Sequence, residues 1–556
     1  MSARDRQETD IDVLIVGGGP VGLTAALLCA RLGLSCVILE RRERKQGPPR
    51  AHAVNPRTLE ICRALGIDRS VFAARSMPPE QGGYVRFVTG LTGLELGSLP
   101  YERQDPEALA FTPTPLVNIP QPHFEDILLE CVAGAPSIEL RRRHSWVSAD
   151  QTEAGVSSTV SDGDQGNYRI SSRYVLACDG AESGVRKSLS IGMPGTARIE
   201  DRIMIHFEAD LRPLLGDRPA VLYFVVNPAA PATLIAYLME STFVLMHRYD
   251  SAREPVASFT AERCHALVRD LLGTGDIPVE IRHISPWTMT ALIAERYRKG
   301  RIFLVGDAAH RFPPSGGLGL NSGVQDAHNL VWKIAAVEGK WADPALLDSY
   351  ERERRFVAEV YSAQSHKNAI EMGKLFQFAA EQYRAAGGDS AQLETLIAEA
   401  ERDGVLPRLI GQQRPHFDSF GLQLGFSYAA SSDWPAHVSD YTPTIAVGAR
   451  LPHAWIMRAG ERASTLDLLG LDRFTLLCGA RPARWREAAD GVAAPLRIAA
   501  AGSEFEDAEG SWAALAGSNP TSAILVRPDG HIACVAADDS DNNRLEVSRA
   551  LRPCGA

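Results

Sequence analysis

The first forty residues combine continuous apolar runs with a glycine-rich turn. Residues 11–16 form an apolar run that ends in glycines, which is typical of a buried parallel strand. Leucines then recur at helical spacing between 23 and 32, Gly33 is a plausible helix stop, and residues 36–40 indicate a second strand. This order of strand, turn, helix and strand predicts a βαβ unit and therefore a parallel sheet.

Two later segments, 173–178 and 301–305, repeat the short apolar run and stop on Asp and Gly. The chain between about 200 and 290 differs, because its strand-like runs are separated only by turns. These runs lie at 203–207, 221–226, 234–238 and 243–247. They predict an inserted antiparallel sheet, and residues 80–115 are expected to join it because they have the same character.

The last third of the chain divides into three parts. Helix formers dominate from Val324 to about residue 400, with one apolar face. Residues 403–445 are rich in Pro, Gly, Ser and aromatic residues without a sustained period, which predicts a connecting segment with a poor core. Beyond Val447 strands alternate with helical stretches, so we expect a separate small α/β domain at 446–556. A chain of 556 residues suits three or four domains.

Composition argues against a disordered, fibrous or disulfide-framework protein. Hydrophobic residues make up 45% and charged residues 23% of the chain, which is ordinary for a soluble globular protein. The formal net charge of -10 gives no general attraction to nucleic acid or to an anionic membrane, so neither is expected as a partner. The nine cysteines include no C-x-x-C pair, so no metal site is predicted. Scattered cysteines in apolar runs favour reduced thiols and a cytoplasmic location.

The apolar stretch 13–34 has the length of a membrane span or the core of a signal peptide. Three features argue against both: the flank at 8–12 is acidic, Gly17 to Pro20 would break a helix, and Arg31 interrupts the far end. We therefore expect neither a signal nor a span here.

The first chemical motif is Gly17-x-Gly19-x-x-Gly22 between the first strand and its helix. The first glycine permits a tight turn, the second lets the backbone approach a pyrophosphate, and the third lets helix pack on strand. Glu40, at the end of the next strand, is placed to accept hydrogen bonds from ribose hydroxyls. Arg41 follows it and is either a phosphate contact or part of a solvated face. A P-loop is excluded because a leucine replaces its lysine.

Two further motifs lie at strand ends and favour FAD over NAD. Asp179-Gly180 ends one predicted strand, and Gly306-Asp307 ends another. An aspartate at such a position can hold ribityl hydroxyls. After the second motif comes a proline- and glycine-rich loop at 313–321, which aims backbone N–H groups and a helix N-terminus at the edge of a flavin.

Together these motifs resemble the class A flavoprotein monooxygenases, the single-component aromatic hydroxylases. The resemblance also rests on residues 49–60, on Gln121 and on the segments 326–333 and 347–354. The tail resembles the dichlorophenol and polyketide hydroxylase subgroup, whose members carry a C-terminal thioredoxin-like domain. Glu182 and Ser190 depart from the family pattern, in a loop on the pyrophosphate side.

The resemblance implies an α/β fold: a Rossmann-like FAD-binding domain, an inserted antiparallel-sheet substrate domain and a C-terminal thioredoxin-like α/β domain. The expected FAD-binding segments are 1–78, 116–200 and 291–345. The expected substrate-domain segments are 79–115 and 201–290. A helical region and linker at 346–445 and the thioredoxin-like domain at 446–556 complete the chain.

The resemblance also implies an activity. A nicotinamide reduces FAD, oxygen adds to give a flavin C4a-hydroperoxide, and the distal oxygen goes to a phenol-like or other electron-rich aromatic ring, which could be a bulky secondary metabolite. The sequence has no second dinucleotide fingerprint, so NAD(P)H, with NADPH favoured, is expected to bind transiently as a co-substrate. Baeyer–Villiger insertion, epoxidation and a reductase without oxygenase activity stay open as alternatives, and so does assembly into a homo-oligomer.

The predicted site residues fall into two groups. The predicted cofactor-binding residues are Gly17, Gly19, Pro20, Gly22, Glu40, Arg41, Arg50, Gln121, Asp179, Gly180, Asp307, Gly317, Gly319, Leu320 and Asn321. The predicted catalytic residues are His52, Tyr223, Pro313 and Pro314. His52 is either the base that deprotonates a phenol or a histidine that supports such a group. Tyr223 either faces the substrate or packs within its sheet.

Overall fold

The computed structural model describes residues 9–43, 49–163, 166–228, 231–429, 437–490 and 492–551. The first third contains β1 (Thr9–Val16), α1 (Pro20–Arg31), β2 (Cys36–Glu40), β3 (Ala53–Val54), α2 (Pro56–Ala64), α3 (Arg69–Ala73), α4 (Pro79–Gly82), β4 (Tyr84–Val88), β5 (Glu95–Pro100), β6 (Val117–Asn118), α5 (Gln121–Ala133), β7 (Ile138–Arg142), β8 (Ser145–Gln151), β9 (Val156–Ser161), β10 (Asn167–Ala177) and α6 (Gly184–Ser188).

The middle third contains β11 (Gly195–Glu208), α7 (Arg212–Leu215), β12 (Leu222–Val225), β13 (Ala232–Leu238), β14 (Thr242–Tyr249), α8 (Ala261–Leu272), β15 (Glu280–Ile293), β16 (Arg298–Lys299), β17 (Ile302–Leu304), β18 (His310–Arg311), α9 (Leu318–Glu338) and α10 (Ser349–Ala386). The last third contains α11 (Ser390–Arg402), α12 (Val405–Gly411), α13 (Arg414–Phe417), α14 (Phe420–Leu424), β19 (Trp455–Arg458), β20 (Glu461–Ser464), β21 (Phe474–Cys478), α15 (Ala483–Ala489), β22 (Leu496–Ala500), α16 (Ser511–Ala516), β23 (Ala523–Val526), β24 (Ile532–Ala536) and α17 (Asp541–Ala550).

The first sheet has the strand order β16-β17-β10-β1-β2-β7. Its pairs from β17 to β7 are parallel, and β16 adds an antiparallel edge. The apolar residues of β1 are buried because helices cover the sheet. The carboxyl ends of β1, β2, β10 and β17 therefore meet at one edge, which is where open α/β sheets bind their ligands. The predicted βαβ start and the mixed α/β fold class are confirmed.

The second sheet has the strand order β18-β15-β11-β14-β13-β12-β4-β5. Its pairs are antiparallel except for β4 with β12, which run parallel. Residues 84–100 thus join the inserted strands, as expected from their turn-rich pattern. Its second chain segment runs from Gly195 to Ile293 and also includes the short β18, so this segment is longer than the predicted 201–290.

The helical region differs from its sequence-based prediction. We expected residues 403–445 to be a connecting segment with a poor core, and this is wrong for 405–424, which forms α12 to α14. Leu406, Ile410 and Phe417 are buried in the core of the second sheet. Each of these helices is only four to seven residues long, so no sustained apolar period develops in the sequence.

The C-terminal domain is built on the sheet β22-β21-β23-β24. Buried ion pairs join it to the rest of the chain. Arg527 donates to Glu353 at 2.7 Å, and Arg450 donates to Glu60. These cations hold the pKa of both carboxyl groups below the ordinary value, despite the opposing effect of burial. Among the described residues, no helix combines the length and the apolar character that crossing a membrane requires.

Candidate functional site

A cavity of about 1970 Å³ lies between the carboxyl edge of the first sheet and one face of the second. Most of the residues predicted from sequence line it. They are Gly17, Gly19, Pro20, Glu40, Arg41, Arg50, His52, Gln121, Asp179, Gly180, Asp307, Pro313, Pro314, Gly317, Gly319 and Leu320. Gly22, Asn321 and Tyr223 do not line it.

The first glycine turn is fixed by backbone contacts. Gly17 has a φ of +110°, and a Cβ built on it would lie 2.2 Å from the carbonyl oxygen of Cys178. A Cβ on Gly22 would lie 2.0 Å from the carbonyl oxygen of Gly17, so Gly22 serves the packing of α1 against the turn and does not line the cavity. Gly19 is the N-cap of α1, and no atom lies within 4 Å of the place of its missing Cβ. The N-terminus of α1 is therefore open to the cavity.

Glu40 is held at the end of β2 by two backbone donors. The N–H of Gly18 donates to its Oε2 at 3.0 Å, and the N–H of Arg42 donates to its Oε1 at 2.9 Å. The carboxylate is half-buried and lies on the cavity wall, where its remaining lone pairs suit hydroxyl donors. Arg41 beside it is exposed at the cavity rim.

The two strand-end aspartates have unused acceptor capacity. Asp179 Oδ2 accepts from the N–H of Val185 at 3.2 Å, while Oδ1 is buried without a partner among the described residues. Asp307 lines the cavity. Desolvation by the surrounding protein atoms raises the pKa of its carboxyl. The nearby charges of His310 and Arg50 act against that rise. The buried Oδ1 of Asp179 and the exposed carboxylate of Asp307 on the cavity wall both fit a ligand that brings hydroxyl groups, as the ribityl and ribose parts of FAD do.

The third loop runs into α9. Gly316 and Gly317 have φ values of +108° and +63°, and Gly317 is the N-cap of the helix. No atom lies within 4 Å of the missing Cβ of Gly319, so this helix N-terminus also faces open space on the cavity. Pro313 is buried and Pro314 is exposed on the same wall.

Asn321 has a structural task that the sequence did not reveal. Its Nδ2 donates to the carbonyl oxygens of Ala53 at 2.9 Å and Gly317 at 2.7 Å, and its Oδ1 accepts from the N–H of Asn55 and the hydroxyl of Thr58. The side chain is buried, and all of these partners belong to the protein. These bonds clamp α9 to the start of α2, and a cofactor contact by Asn321 stays a prediction.

Gln121 and Arg50 lie on the cavity as predicted. Gln121 begins α5, and its Nε2 donates to Glu125 Oε1 at 2.8 Å. Arg50 is exposed on the cavity, and its guanidinium has no partner among the described residues. Its positive charge acts on the carboxyl of Asp307.

His52 lies where the cavity passes from the first domain to the second sheet. Its ring is 5.6 Å from the ring of Tyr101 and 6.0 Å from that of Tyr237, measured between centroids. Its Nδ1 lies 3.1 Å from Asn118 Oδ1. Burial lowers the pKa of His52 to about 4, so the imidazole is neutral near pH 7.

Tyr223 faces away from the cavity, which favours the second of its two predicted roles, packing within the sheet. Side chains alternate between the two faces of a strand, and in β12 it is Leu222 and Phe224 that line the cavity. The Tyr223 hydroxyl donates to the carbonyl oxygen of Arg218 at 2.9 Å. Burial raises the pKa of this hydroxyl, so Tyr223 is a neutral packing residue.

Several lining residues were not identified from the sequence. On the second sheet they include Met204, Phe224 and Met246, and on the helical region they include Met372, Phe376, His416 and Phe417. The strand residues could be predicted only if it were known which face of each strand points into the cavity. The helical residues carry no local signal, because only the tertiary fold brings them from a distant part of the chain to the sheet.

Comparison with known proteins now identifies the family. Residues 10–365 match the family model of the FAD binding domain, and residues 444–553 match that of the aromatic-ring hydroxylase C-terminal domain. The chain is an FAD-dependent aromatic-ring hydroxylase. The prediction of this family, of FAD as the cofactor and of aromatic monooxygenase activity is confirmed.

Named relatives of this hydroxylase include enzymes for different aromatic compounds. It is 32% identical to 2,4-dichlorophenol 6-monooxygenase of Delftia acidovorans over 98% of each chain. It is 33% identical to aklavinone 12-hydroxylase RdmE of Streptomyces purpurascens, over 94% of this chain and 95% of the relative.

Solved structures show the same fold over nearly the whole hydroxylase. The flavin-dependent monooxygenase PieE, in complex with FAD and substrate, superposes with a TM-score of 0.89 at 32% identity, covering 98% of this chain and 99% of the other. The ternary complex of aklavinone-11 hydroxylase with FAD and aklavinone gives a TM-score of 0.83 at 30% identity, with the same coverage. The enzyme therefore acts on an aromatic substrate with FAD bound.

Proposed function

We propose that this hydroxylase acts on a bulky phenol, with molecular oxygen and NADPH as co-substrates. The observation that carries the proposal is the continuous cavity of about 1970 Å³. Pockets for one small molecule are typically about 300–1,000 Å³, so this cavity has room for two ligands at once. FAD takes the part along the three glycine loops, and the substrate takes the part against the second sheet.

The chemistry of the substrate wall supports a large aromatic ring system. Leu222, Phe224 and Met246 face the cavity from the sheet, and Phe417 closes it from the helical region. Aromatic and thioether side chains make favourable contacts with ring faces and edges. One relative is named for aklavinone and one solved complex contains it, which supports a substrate larger than a single ring.

In this proposal the protein positions the reacting groups. Bound FAD supplies the electron transfer and the transfer of one oxygen atom to the ring. His52 accepts a hydrogen bond from the phenol hydroxyl. This bond orients the substrate ring and increases its electron density. Pro313 and Pro314 also line the cavity and offer no N–H donors, so they present an apolar surface to the bound molecules.

The preference for NADPH rests on the charge of the cavity rim. Arg41, Arg42 and Arg50 are exposed on the cavity. A guanidinium recognises phosphate well, and NADPH has one phosphate group more than NADH. We assign Arg50 to the binding of a phosphate group, either of NADPH or of FAD itself.

A graded panel of phenols tests the proposal. Oxygen uptake and the oxidation of NADPH and NADH are measured with phenol, 2,4-dichlorophenol, naphthol and a hydroxyanthraquinone, with isotopically labelled oxygen to trace the product. We expect the fused rings to stimulate NADPH oxidation most and to gain one labelled hydroxyl group. Products without labelled oxygen for every phenol, or insertion of oxygen next to a carbonyl, would contradict it. Enzyme stripped of FAD is the control.

A further inference from the structure

A short ladder beside the cavity places His52 against Asn118. The strands β3 and β6 pair through Ala53 and Asn118, and the N–H of Ile119 donates to the carbonyl oxygen of His52 at 2.7 Å. This backbone frame brings His52 Nδ1 to 3.1 Å from Asn118 Oδ1. Asn118 is buried, 2% exposed, so the contact is shielded from bulk water.

The orientation of the Asn118 amide follows from its other partners. Its Nδ2 donates to the carbonyl oxygen of Gly82 at 3.1 Å and to Gln104 Oε1 at 3.2 Å. Gln104 in turn donates from Nε2 to the carbonyl oxygens of Gly82 and Tyr101. Because a backbone carbonyl can only accept, both amides have one satisfactory orientation. Oδ1 of Asn118 therefore faces His52, and this oxygen also only accepts.

We propose that Asn118 is a positioning residue that keeps the proton of His52 on Nδ1 and so leaves Nε2 as the lone pair that meets the substrate hydroxyl. His52 lines the cavity, and its Nε2 has no hydrogen-bond partner among the described residues. The proposal rests on the function proposed above, in which His52 contacts the phenol. It adds the residue that decides which nitrogen of His52 does so.

The surroundings of His52 also keep it neutral. The titratable groups packed against its ring are Tyr101 and Tyr237, and burial raises the pKa of both hydroxyls, so both stay uncharged. The charged side chains of Arg50 and Asp307 share the cavity wall. Since Asn118 is an amide, no carboxylate stabilises an imidazolium from the Nδ1 side. His52 thus keeps its lone pair across the neutral pH range.

The tautomer is measured first, and no substrate is needed. The holoenzyme is prepared with heavy-nitrogen-labelled histidine, and the His52 signals are assigned by their loss in His52→Gln. We expect a protonated Nδ1 and an unprotonated Nε2 in the wild type, and a mixed or reversed tautomer in Asn118→Leu. A proton on Nε2 in the wild type overturns the proposal, whatever the enzyme acts on.

The pH profile is measured second, with 2,4-dichlorophenol as the probe. Asn118→Asp places a carboxylate on Nδ1 and should raise the pKa of His52. His52 then loses its lone pair as pH falls through this higher value, so the acid limb of hydroxylation moves up by about one pH unit or more. Flavin reduction by NADPH should keep its wild-type profile. When His52→Gln is already present, adding Asn118→Asp should leave the limb unchanged, as a double-mutant cycle requires.

Two further variants separate positioning from folding. Asn118→Leu should lower the rate of hydroxylation about 10-fold to 100-fold with little change in flavin reduction. Tyr237→Phe removes a hydroxyl that donates to the carbonyl oxygen of Pro49 on the other side of the ring, and it should keep the wild-type tautomer and pH profile. Equal loss of both half-reactions in Asn118→Leu, with an unmoved limb in Asn118→Asp, overturns the proposal. If the His52 tautomer is as expected but no phenol is oxygenated, the proposed function is refuted and the role of Asn118 is not.

Discussion

The two halves of the cavity are built differently. We call the part along the glycine loops, which our proposal assigns to FAD, the cofactor half, and the part against the second sheet the substrate half. The cofactor half is made of backbone: Gly17, Gly180 and Gly317 all have positive φ values at the ends of strands or the start of a helix. The substrate half is made of side chains that alternate along strands, so that Phe224 faces the cavity and Tyr223 does not. A backbone site tolerates few substitutions, whereas a side-chain wall can change while the fold stays constant. Variants in the two halves should therefore fail in different ways.

The largest effect is expected for Gly17→Ala. Its Cβ would lie 2.2 Å from the carbonyl oxygen of Cys178, at a φ that side chains rarely adopt. The turn must open, and we expect the purified protein to contain no FAD, as measured by its visible absorbance.

Gly33→Ala is the matched control for this variant. Gly33 also has a positive φ of +74°, but no atom lies within 4 Å of its missing Cβ, and it does not line the cavity. This variant should lose about 1 kcal/mol of stability and keep its FAD. Equal loss of FAD in both variants would show that strain, and not the clash with Cys178, decides the result.

A second large effect is expected at Glu102, whose N–H donates to the carbonyl oxygen of Phe417 on the cavity wall. Glu102 is buried and accepts from the N–H of Ser419 at 3.1 Å and from Gln423 Nε2 at 2.9 Å. Burial and the charge of Asp418 raise the pKa of Glu102 to about 8. The folded state then binds a proton that the unfolded state has lost. The free energy of unfolding should fall as pH rises from about 4.5 to about 8.

Glu102→Gln tests this pH dependence. It removes the charge and keeps the acceptor oxygen, so the variant should be more stable than the wild type above the window by on the order of a few kcal/mol. Thermal unfolding of the holoenzyme on both sides of the window measures it. Parallel pH curves for the two proteins would contradict the raised pKa, and unchanged FAD content would assign the effect to the substrate half.

A smaller effect is expected for Asp307→Ala. This carboxylate lies on the cavity next to Arg50 and has no hydrogen-bond partner among the described residues. Loss of a charge-assisted hydrogen bond to a ribityl hydroxyl should weaken FAD binding by about 1.5–3 kcal/mol. Titration of the apoenzyme with FAD measures this loss. Full affinity in the variant would mean that Asp307 does not contact the cofactor.

The smallest effects are expected for a pair of neighbours on β12. Phe224→Leu should raise the KM for a fused-ring phenol by up to about tenfold, since an aromatic contact is worth about 0.5–1.5 kcal/mol. Tyr223→Phe loses the hydrogen bond to Arg218, which should cost about 1 kcal/mol of stability and leave the kinetics unchanged. Reversed outcomes would mean that the opposite face of the sheet binds the substrate.

The cofactor half could be predicted from the sequence because its signals are local. The spacing of Gly17, Gly19 and Gly22, and an aspartate directly after an apolar strand, need only a few consecutive residues to be recognised. The same holds for the order of the sheets, since buried parallel strands and turn-separated strands differ in pattern. The side chains that face the substrate could not be predicted in the same way. Tyr223 and Phe224 are neighbours on β12, and only Phe224 faces the cavity. All four residues of β12 are buried, so no alternation of polarity marks the inner face.

The sequence by itself thus determined the fold class, the cofactor and the glycine loops that line the cavity. Tertiary structure alone decided the partners of His52 and Asn321 and the wall made by Phe417. Asn118 lies 66 residues from His52, and the Asn55 N–H that Asn321 accepts from lies 266 residues away. Such contacts depend on how separate sheets and helices pack, and a periodicity of two or 3.6 residues contains no information about distant partners.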